Sequence, residues 1–285
     1  AAPFDNRSSV WTPLLHTVWK FDPKSRDQVR MSLTRSYRSP TLQNLIPYTR
    51  QSQPNSETRP DRAGNPDLKP ELATGLDVAI ERYLPGSGIL SANVFHREIS
   101  QYIRTVTSLE GTRYVSRMQN VGDATTQGLE LEAKFRLSDL VADAPGVELR
   151  ANGSAFRSKV KGTPGPDNRI DQQASGVANL GADYRLRGTG LTLGGNLSWQ
   201  PGYTTRISPT QWVTQGRKLV ADAYVLYAFN PGLQLRVSGS NLAARDYLTG
   251  SRYDDTGPGG SGVRETSETD TSSYISWQVR LEMKL

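Results

Sequence analysis

Cysteine is absent from the 285 residues, which excludes disulfides, thiolate metal sites and cysteine nucleophiles. Histidine is almost absent. His16 and His96 stand alone in strand-like segments, with no second ligand at helical metal spacing, so no metal site is expected. No G-x-S-x-G occurs to carry a serine nucleophile, and no catalytic residue is assigned. No glycine-rich phosphate loop leads from a strand into a helix, and the run 257–262 reads as a flexible outer loop. No stretch approaches the roughly 18 apolar residues of a spanning helix; the longest, 219–229, is interrupted by Asp222. Residues 1–7 lack the basic start and apolar block of a secretion signal, so the chain is expected to be mature or truncated.

Apolar residues are scarce as well. They make up 35 % of the chain, against about 45–50 % in soluble globular domains. Disorder does not follow, because 12 Tyr, 5 Trp and 6 Phe are present and disordered chains are poor in aromatics. A transmembrane β-barrel suits the composition better. Only every second residue of its strands meets lipid, and the other half faces a polar lumen. The formal charge is +6, but Lys and Arg are scattered among acids and form no block. Nucleic acid is therefore not expected as a partner. Basic outer loops facing anionic lipopolysaccharide, or an anionic solute, account for the charge.

What the chain has in quantity is alternation of period two. Ile275, Trp277, Val279, Leu281, Met283 and Leu285 alternate with Ser276, Gln278, Arg280, Glu282 and Lys284. Leu129, Leu131, Ala133, Phe135 and Leu137 alternate with Glu130, Glu132, Lys134 and Arg136. Each segment has one apolar and one polar face. About eleven strands are predicted, at 9–22, 27–37, 71–84, 89–106, 113–137, 147–160, 174–187, 191–205, 216–229, 233–248 and 272–285. Most are longer than the ~5–6 residues usual in soluble sheets and suit a membrane crossing of ~9–11 residues. A soluble all-β sandwich or propeller is the alternative to a barrel.

The predicted connections come in two sets. The tight set is 22–27, 85–88, 187–190, 230–232 and the somewhat longer 138–146. The interleaved set is mostly long and polar: 38–70, 161–173, 206–214 and 249–271, with 107–112 the short exception. Outer-membrane barrels have short periplasmic turns and longer extracellular loops. The final strand follows a long loop, so the C-terminus is expected at the periplasmic side.

Four stretches resemble motifs of the TonB-dependent receptor barrel. They are Arg35-Ser36-Tyr37-Arg38-Ser39-Pro40-Thr41-Leu42; Gly64-Asn65-Pro66-Asp67-Leu68-Lys69-Pro70-Glu71; Asn120-Val121-Gly122-Asp123-Ala124 with Gly128-Leu129-Glu130-Leu131-Glu132; and Asn241-Leu242 with Asp246-Tyr247. They occur in the family's order across residues 35–285, and the second is the most specific. Physically they build a barrel. Pro66 and Pro70 stop strand pairing, Gly122 and Gly128 permit bulges or close approach, and Glu130 and Glu132 face the lumen by parity. Departures are Leu285, where such chains commonly end in an aromatic, and Arg280, where glycine is usual; recognition by the assembly machinery would be weaker or use Trp277.

The resemblance implies that residues 1–285 are the C-terminal half of a barrel of about 22 strands, with the plug domain outside this chain. It implies a receptor in the Gram-negative outer membrane, not an enzyme, importing a large scarce solute such as a ferric siderophore. Its partners would be outer-membrane lipid, lipopolysaccharide and the TonB inner-membrane complex, reached through the plug. No cofactor is implied. Solute contacts are expected from Tyr48, Arg50, Arg59 and Arg62 in the first long loop, Tyr203, Arg206 and Trp212 in another, and Arg252 and Tyr253 in the last. Aromatics stack, and Arg binds carboxylate- or catecholate-type anions through two hydrogen bonds. A self-contained porin and a membrane-embedded hydrolase remain as alternatives.

Overall fold

The computed structural model describes residues 5–84, 86 and 88–283. Its strands are β1 (Leu14–Lys20), β2 (Gln28–Arg38), β3 (Thr49–Arg50), β4 (Asp61–Ala63), β5 (Glu71–Tyr83), β6 (Ile89–Ser100), β7 (Ile103–Glu110), β8 (Arg113–Asn120), β9 (Ala124–Arg136) and β10 (Val147–Val160). They continue as β11 (Gly176–Arg185), β12 (Leu191–Gln200), β13 (Tyr203–Arg206), β14 (Gln211–Gln215), β15 (Lys218–Asn230), β16 (Leu233–Ser240), β17 (Tyr247–Asp254), β18 (Arg264–Thr271) and β19 (Ser276–Met283). Helix is limited among the described residues to α1 (Leu42–Leu45) and one 3-10 turn, Leu137–Asp139.

Eleven strands form one antiparallel wall in the order β1-β2-β5-β6-β9-β10-β11-β12-β15-β16-β19. Each predicted strand supplies one of them. Tight turns join them at one end. Asp22 closes the first, accepting from the amides of Ser25 (2.9 Å, at its carbonyl) and Lys24 (2.8 Å, at Oδ1). The Asn230 side chain closes another by accepting from Gly232 N at 2.9 Å. Pro85 and Ser87 of a predicted turn, Lys284 and Leu285 of the last predicted strand, and residues 1–4 lie outside the described residues.

Four predicted strands run too far, because alternation continues after the chain has left the wall. The breaks are at Gln101 (φ 57°), Gly122 (φ 105°), Pro201-Gly202 and Asn241 (φ 57°). A left-handed residue or a proline ends the ladder there. Beyond the breaks the chain pairs again, in two small sheets at the long-loop end: β3-β4-β8-β7 and β13-β14-β17-β18. Segments 206–214 and 249–271, expected as long polar connections, are therefore largely hairpin. The glycine run 257–262 is its turn, tied by Gly260 N to Gly257 O (3.0 Å) and Gly262 N to Asp255 O (2.9 Å).

The two faces of the wall differ as parity requires. One carries Leu131, Leu180, Leu197, Val225, Val237, Val279 and Leu281, with Trp277 70 % and Met283 67 % exposed. No second sheet covers it among the described residues, as a sandwich would demand. In water such a face would be far larger than the apolar patches soluble proteins tolerate; in hydrocarbon it is buried. Aromatics gather near its turn end, where Trp19 meets Phe21 at 5.2 Å and Tyr227 meets Phe229 at 4.9 Å between centroids, the arrangement of an interfacial belt. The other face is polar and internally paired: Arg97 with Asp77 at 3.1 Å, Arg30 with Glu81, Arg150 with Asp183, and Asn93 donating to Glu130 at 3.0 Å. The small compact core lies at the rim of the wall, where Tyr102, Ala124 and Val160 pack with Ile99, Val121 and Ile170.

Candidate functional site: an arginine-lined vestibule

The rim is built by residues that hold loops to one another. In the segment Gly64–Glu71, a Cβ on Gly64 would lie 1.9 Å from the Ile46 carbonyl oxygen, so only glycine fits. Asn65 donates to Met118 O at 2.9 Å, and its own Oδ1 accepts from Asp67 N at 3.1 Å. Leu68 is 1 % exposed. The Asn120 side chain clamps Lys69 at both its amide (2.9 Å) and its carbonyl (3.0 Å). Glu71 accepts from Arg38 Nη2 at 2.7 Å and Ile103 N at 2.6 Å. The motif is a buckle between the first long loop and β8.

Farther out, Arg113 grips Asp61 in a two-pronged pair, Nε to Oδ2 at 2.6 Å and Nη2 to Oδ1 at 2.7 Å. Asp61 also accepts from Ser52 N at 2.8 Å. The Arg113 hydrogen bonds, then the Ser52 amide, hold its carboxyl well below the usual carboxylate range. Glu57 is buried beside Tyr114; its hydrogen bond, aided by burial, pushes the Tyr114 phenol up to about 12.

Arg104 is the central tie. Its side chain is wholly buried. Nη1 donates to Thr163 Oγ1 (3.0 Å), Arg206 O (3.1 Å) and Ile207 O (3.3 Å), Nη2 donates to Arg169 O (2.5 Å), and Asp171 pairs with it at 2.9 Å. One guanidinium thus joins β7, the 161–173 loop and the β13–β14 hairpin. Sequence reading passed over Arg104, Asp61, Arg113 and Glu57, because a charge in a strand or loop carries no local sign that it will be buried.

These ties enclose an open vestibule of about 830 Å³. Of the nine residues expected to contact solute, Arg50, Arg59, Arg62, Trp212, Arg252 and Tyr253 line it. Tyr48 does not; its side chain is exposed and its backbone is what is engaged, its amide donating to Ile46 O at 2.7 Å and its carbonyl accepting from Gly64 N at 3.3 Å. Tyr203 lies at the base of β13, donating to Gln215 Oε1 at 2.7 Å. Arg206 is also outside the lining. Its guanidinium donates to the carbonyls of Gly165 (3.0 Å), Ser208 (3.2 Å) and Pro209 (2.6 Å).

Register explains the rest. Arg206 pairs with Trp212, and Trp212 with Arg252. The indole therefore has a guanidinium at 4.8 Å (Arg206) and another at 4.5 Å (Arg252). Arg50 and Arg62 are direct cross-strand partners on β3 and β4. Like charges opposed on a sheet are destabilising. Among the described residues none of Arg50, Arg59, Arg62 and Arg252 has a carboxylate within salt-bridge distance, and Glu57 is the one acid in the lining. Unpaired guanidinium groups around an aromatic plate can receive a bulky anion rich in oxygen.

The sequence matches the family model described as "TonB dependent receptor-like, beta-barrel" over residues 2–242. A comparison with curated proteins finds no match. Solved structures share the fold. The enterobactin-bound ferric enterobactin receptor (Q482A mutant) from Pseudomonas aeruginosa has 16 % identity and a TM-score of 0.64, covering 96 % of this chain and 40 % of that one. The siderophore receptor PirA from Acinetobacter baumannii has 16 % identity and a TM-score of 0.63, covering 96 % and 41 %. The copper transporter OprC has 16 % identity and a TM-score of 0.63, covering 95 % and 38 %. The chain thus spans about 40 % of the length of the structures it resembles.

Proposed function

Because the chain belongs to the TonB-dependent receptor-like β-barrel family, we propose that it forms wall and outer vestibule of an outer-membrane receptor for a large, scarce, anionic solute. A ferric siderophore is the solute class that suits the vestibule. The carrying observation is the cluster of Arg50, Arg59, Arg62 and Arg252, unpaired among the described residues and set beside Trp212 around one cavity. Exposed cations that lack internal partners gain most from an incoming anion, because no internal ion pair must break first. The solved receptors named for siderophores have the same fold.

In this reading the wall is the C-terminal part of a larger barrel in the Gram-negative outer membrane, with the vestibule outside and the C-terminus at the periplasmic side. The plug and the remaining strands belong to the rest of the receptor. Passage of the solute is energised by the TonB complex of the inner membrane, acting through the plug.

The test is binding of ferric enterobactin, as a probe of the catecholate class, to the full-length receptor in detergent. Tight binding that weakens at least tenfold in the Arg50→Ala/Arg62→Ala double variant is expected. Unchanged affinity in that variant would remove the vestibule as the solute site. Uptake that persists in cells lacking TonB would remove the energy coupling.

A further inference from the structure

The vestibule has two chemically unlike walls. Register runs Arg50, Arg62, Ser116 and Thr107 in one cross-strand row over β3, β4, β8 and β7, and all four line the cavity. Neighbouring strands stand about 4.8 Å apart, so two guanidinium groups and two hydroxyls form a continuous track. Each of them can donate a hydrogen bond. The track suits the oxygen-rich, anionic side of a solute.

The other wall comes from β14 and β17. Gln211 pairs directly with Tyr253, and Val213 with Ser251, and these four line the same cavity. Gln211 is fixed at the turn between β13 and β14, its carbonyl accepting from Ile207 N at 2.9 Å and Ser208 N at 3.4 Å. Its side chain is buried, with the residue 7 % exposed. Oε1 is shut off from water and has no hydrogen-bond partner among the described residues.

A buried carbonyl without a partner is destabilising, because its bonds to water are lost and nothing replaces them. The terminal torsion of glutamine is soft, so a turn of the amide brings Oε1 to the cavity. Gln51 and Gln53 also line the vestibule, but both are exposed. Water already serves them, and a solute donor that takes its place gains little. Gln211 is different, because a solute donor meets a need that water does not.

We infer that Gln211 is a specificity-determining residue of the vestibule: its Oε1 accepts a hydrogen bond from an N–H or O–H at the periphery of the solute, while Arg50 and Arg62 hold the anionic side. The solute class narrows to anionic chelates that carry amide or hydroxyl donors. Equally charged chelates without a donor leave the carbonyl unmet and are discriminated against. The inference rests on the anionic-solute reading above.

The experiment titrates the full-length receptor in detergent with two ferric chelates and follows quenching of tryptophan fluorescence. One is a hexadentate tris-catecholate bearing a hydroxymethyl group on each ring. The other is its O-methylated counterpart, of equal charge and without the peripheral donors. The wild type should bind the first tighter by roughly tenfold or more. In Gln211→Leu, which keeps the bulk and removes the amide, that ratio should collapse to about one, chiefly through weaker binding of the hydroxymethyl chelate. Arg50→Ala/Arg62→Ala should weaken both chelates and keep the ratio. Tight binding of both chelates by the wild type without preference would overturn the inference alone, as would a preference that survives in Gln211→Leu. Equal loss of both chelates in Gln211→Leu would give the residue a structural role and overturn it too. Indifference of both chelates to the arginine substitutions would remove the anionic-solute reading, and this inference with it.

Discussion

The ring of Tyr224 lies across the bare backbone of Gly194, its direct cross-strand partner on the polar face of the wall. A Cβ on Gly194 would stand 2.2 Å from the Tyr224 ring and 2.3 Å from Asp183 Oδ1. The tyrosine hydroxyl reaches on to donate to that carboxylate at 2.5 Å. The same device recurs where Phe95 covers Gly128 and Trp277 covers Gly239, again as direct partners. An aromatic laid over a strand glycine restores the packing that the glycine lacks and pins the register.

Substituting Gly194→Ala should accordingly destabilise the wall by about 1–3 kcal/mol through overpacking. Gly153→Ala, at an open site, should stay within about 0.5 kcal/mol. Urea unfolding of the detergent-folded receptor, followed by tryptophan fluorescence, compares the two. Equal midpoints would refute the packing argument.

Removing the Arg104 side chain should loosen the rim without unfolding the wall. Arg104→Met strips the 161–173 loop and the β13–β14 hairpin of a common donor and leaves Asp171 with no guanidinium partner, a local cost on the order of 3–5 kcal/mol. Amide hydrogen exchange should rise in 161–173 and 206–209 and stay slow in β10 and β11. Unchanged exchange in both loops would show that Arg104 is not their tie.

Acid should release the first long loop through Asp61. Its carboxyl is held below its ordinary value of 3.8 in the folded loop, so the unfolded loop takes up a proton first as pH falls. The stabilisation is complete above about pH 4–5 and is lost below that, as pH falls toward the folded-state value. Limited proteolysis between residues 50 and 60 should be constant from pH 7 to 5 and rise below 4 in the wild type. Asp61→Asn should be cleaved at an elevated, pH-independent rate; a wild-type rate at pH 7 would contradict this.

Trp212 should matter for solute binding by steering charge as well as by stacking. Trp212→Leu deprives Arg252 of a ring whose attraction is worth about 0.5–1 kcal/mol at an exposed site. Affinity for ferric enterobactin should drop several-fold through loss of the plate and of the fixed guanidinium. Trp212→Phe, which keeps a ring, should recover most of it. Identical affinities for the two variants would argue that the ring does not face the solute.

Much of this protein is set by local sequence. Ile275 to Met283 must form a two-faced strand, because period-two alternation has one backbone that separates its halves. The same logic, repeated through β2, β9 and β12, makes the wall and its lipid-facing side legible. The buckle at Gly64–Glu71 could be recognised as a motif, although its reason, the 1.9 Å clearance at Gly64, could not.

Tertiary structure alone decided where alternation leaves the wall. β6 and β7 share one unbroken pattern, and only the left-handed turn at Gln101 sends β7 into a different sheet. It also decided which loop arginines meet. Arg206 and Arg252 are 46 positions apart in sequence (252 − 206) yet face one indole, because β14 pairs with β13 on one side and β17 on the other. Arg104 and Arg50 are alike as letters in a sequence. One is buried against the 161–173 loop and the β13–β14 hairpin and the other stands in the vestibule, since burial of a charge depends on carbonyls and carboxylates brought from distant segments. Periodicity is a property of neighbours along the chain. A binding site is a property of neighbours across it.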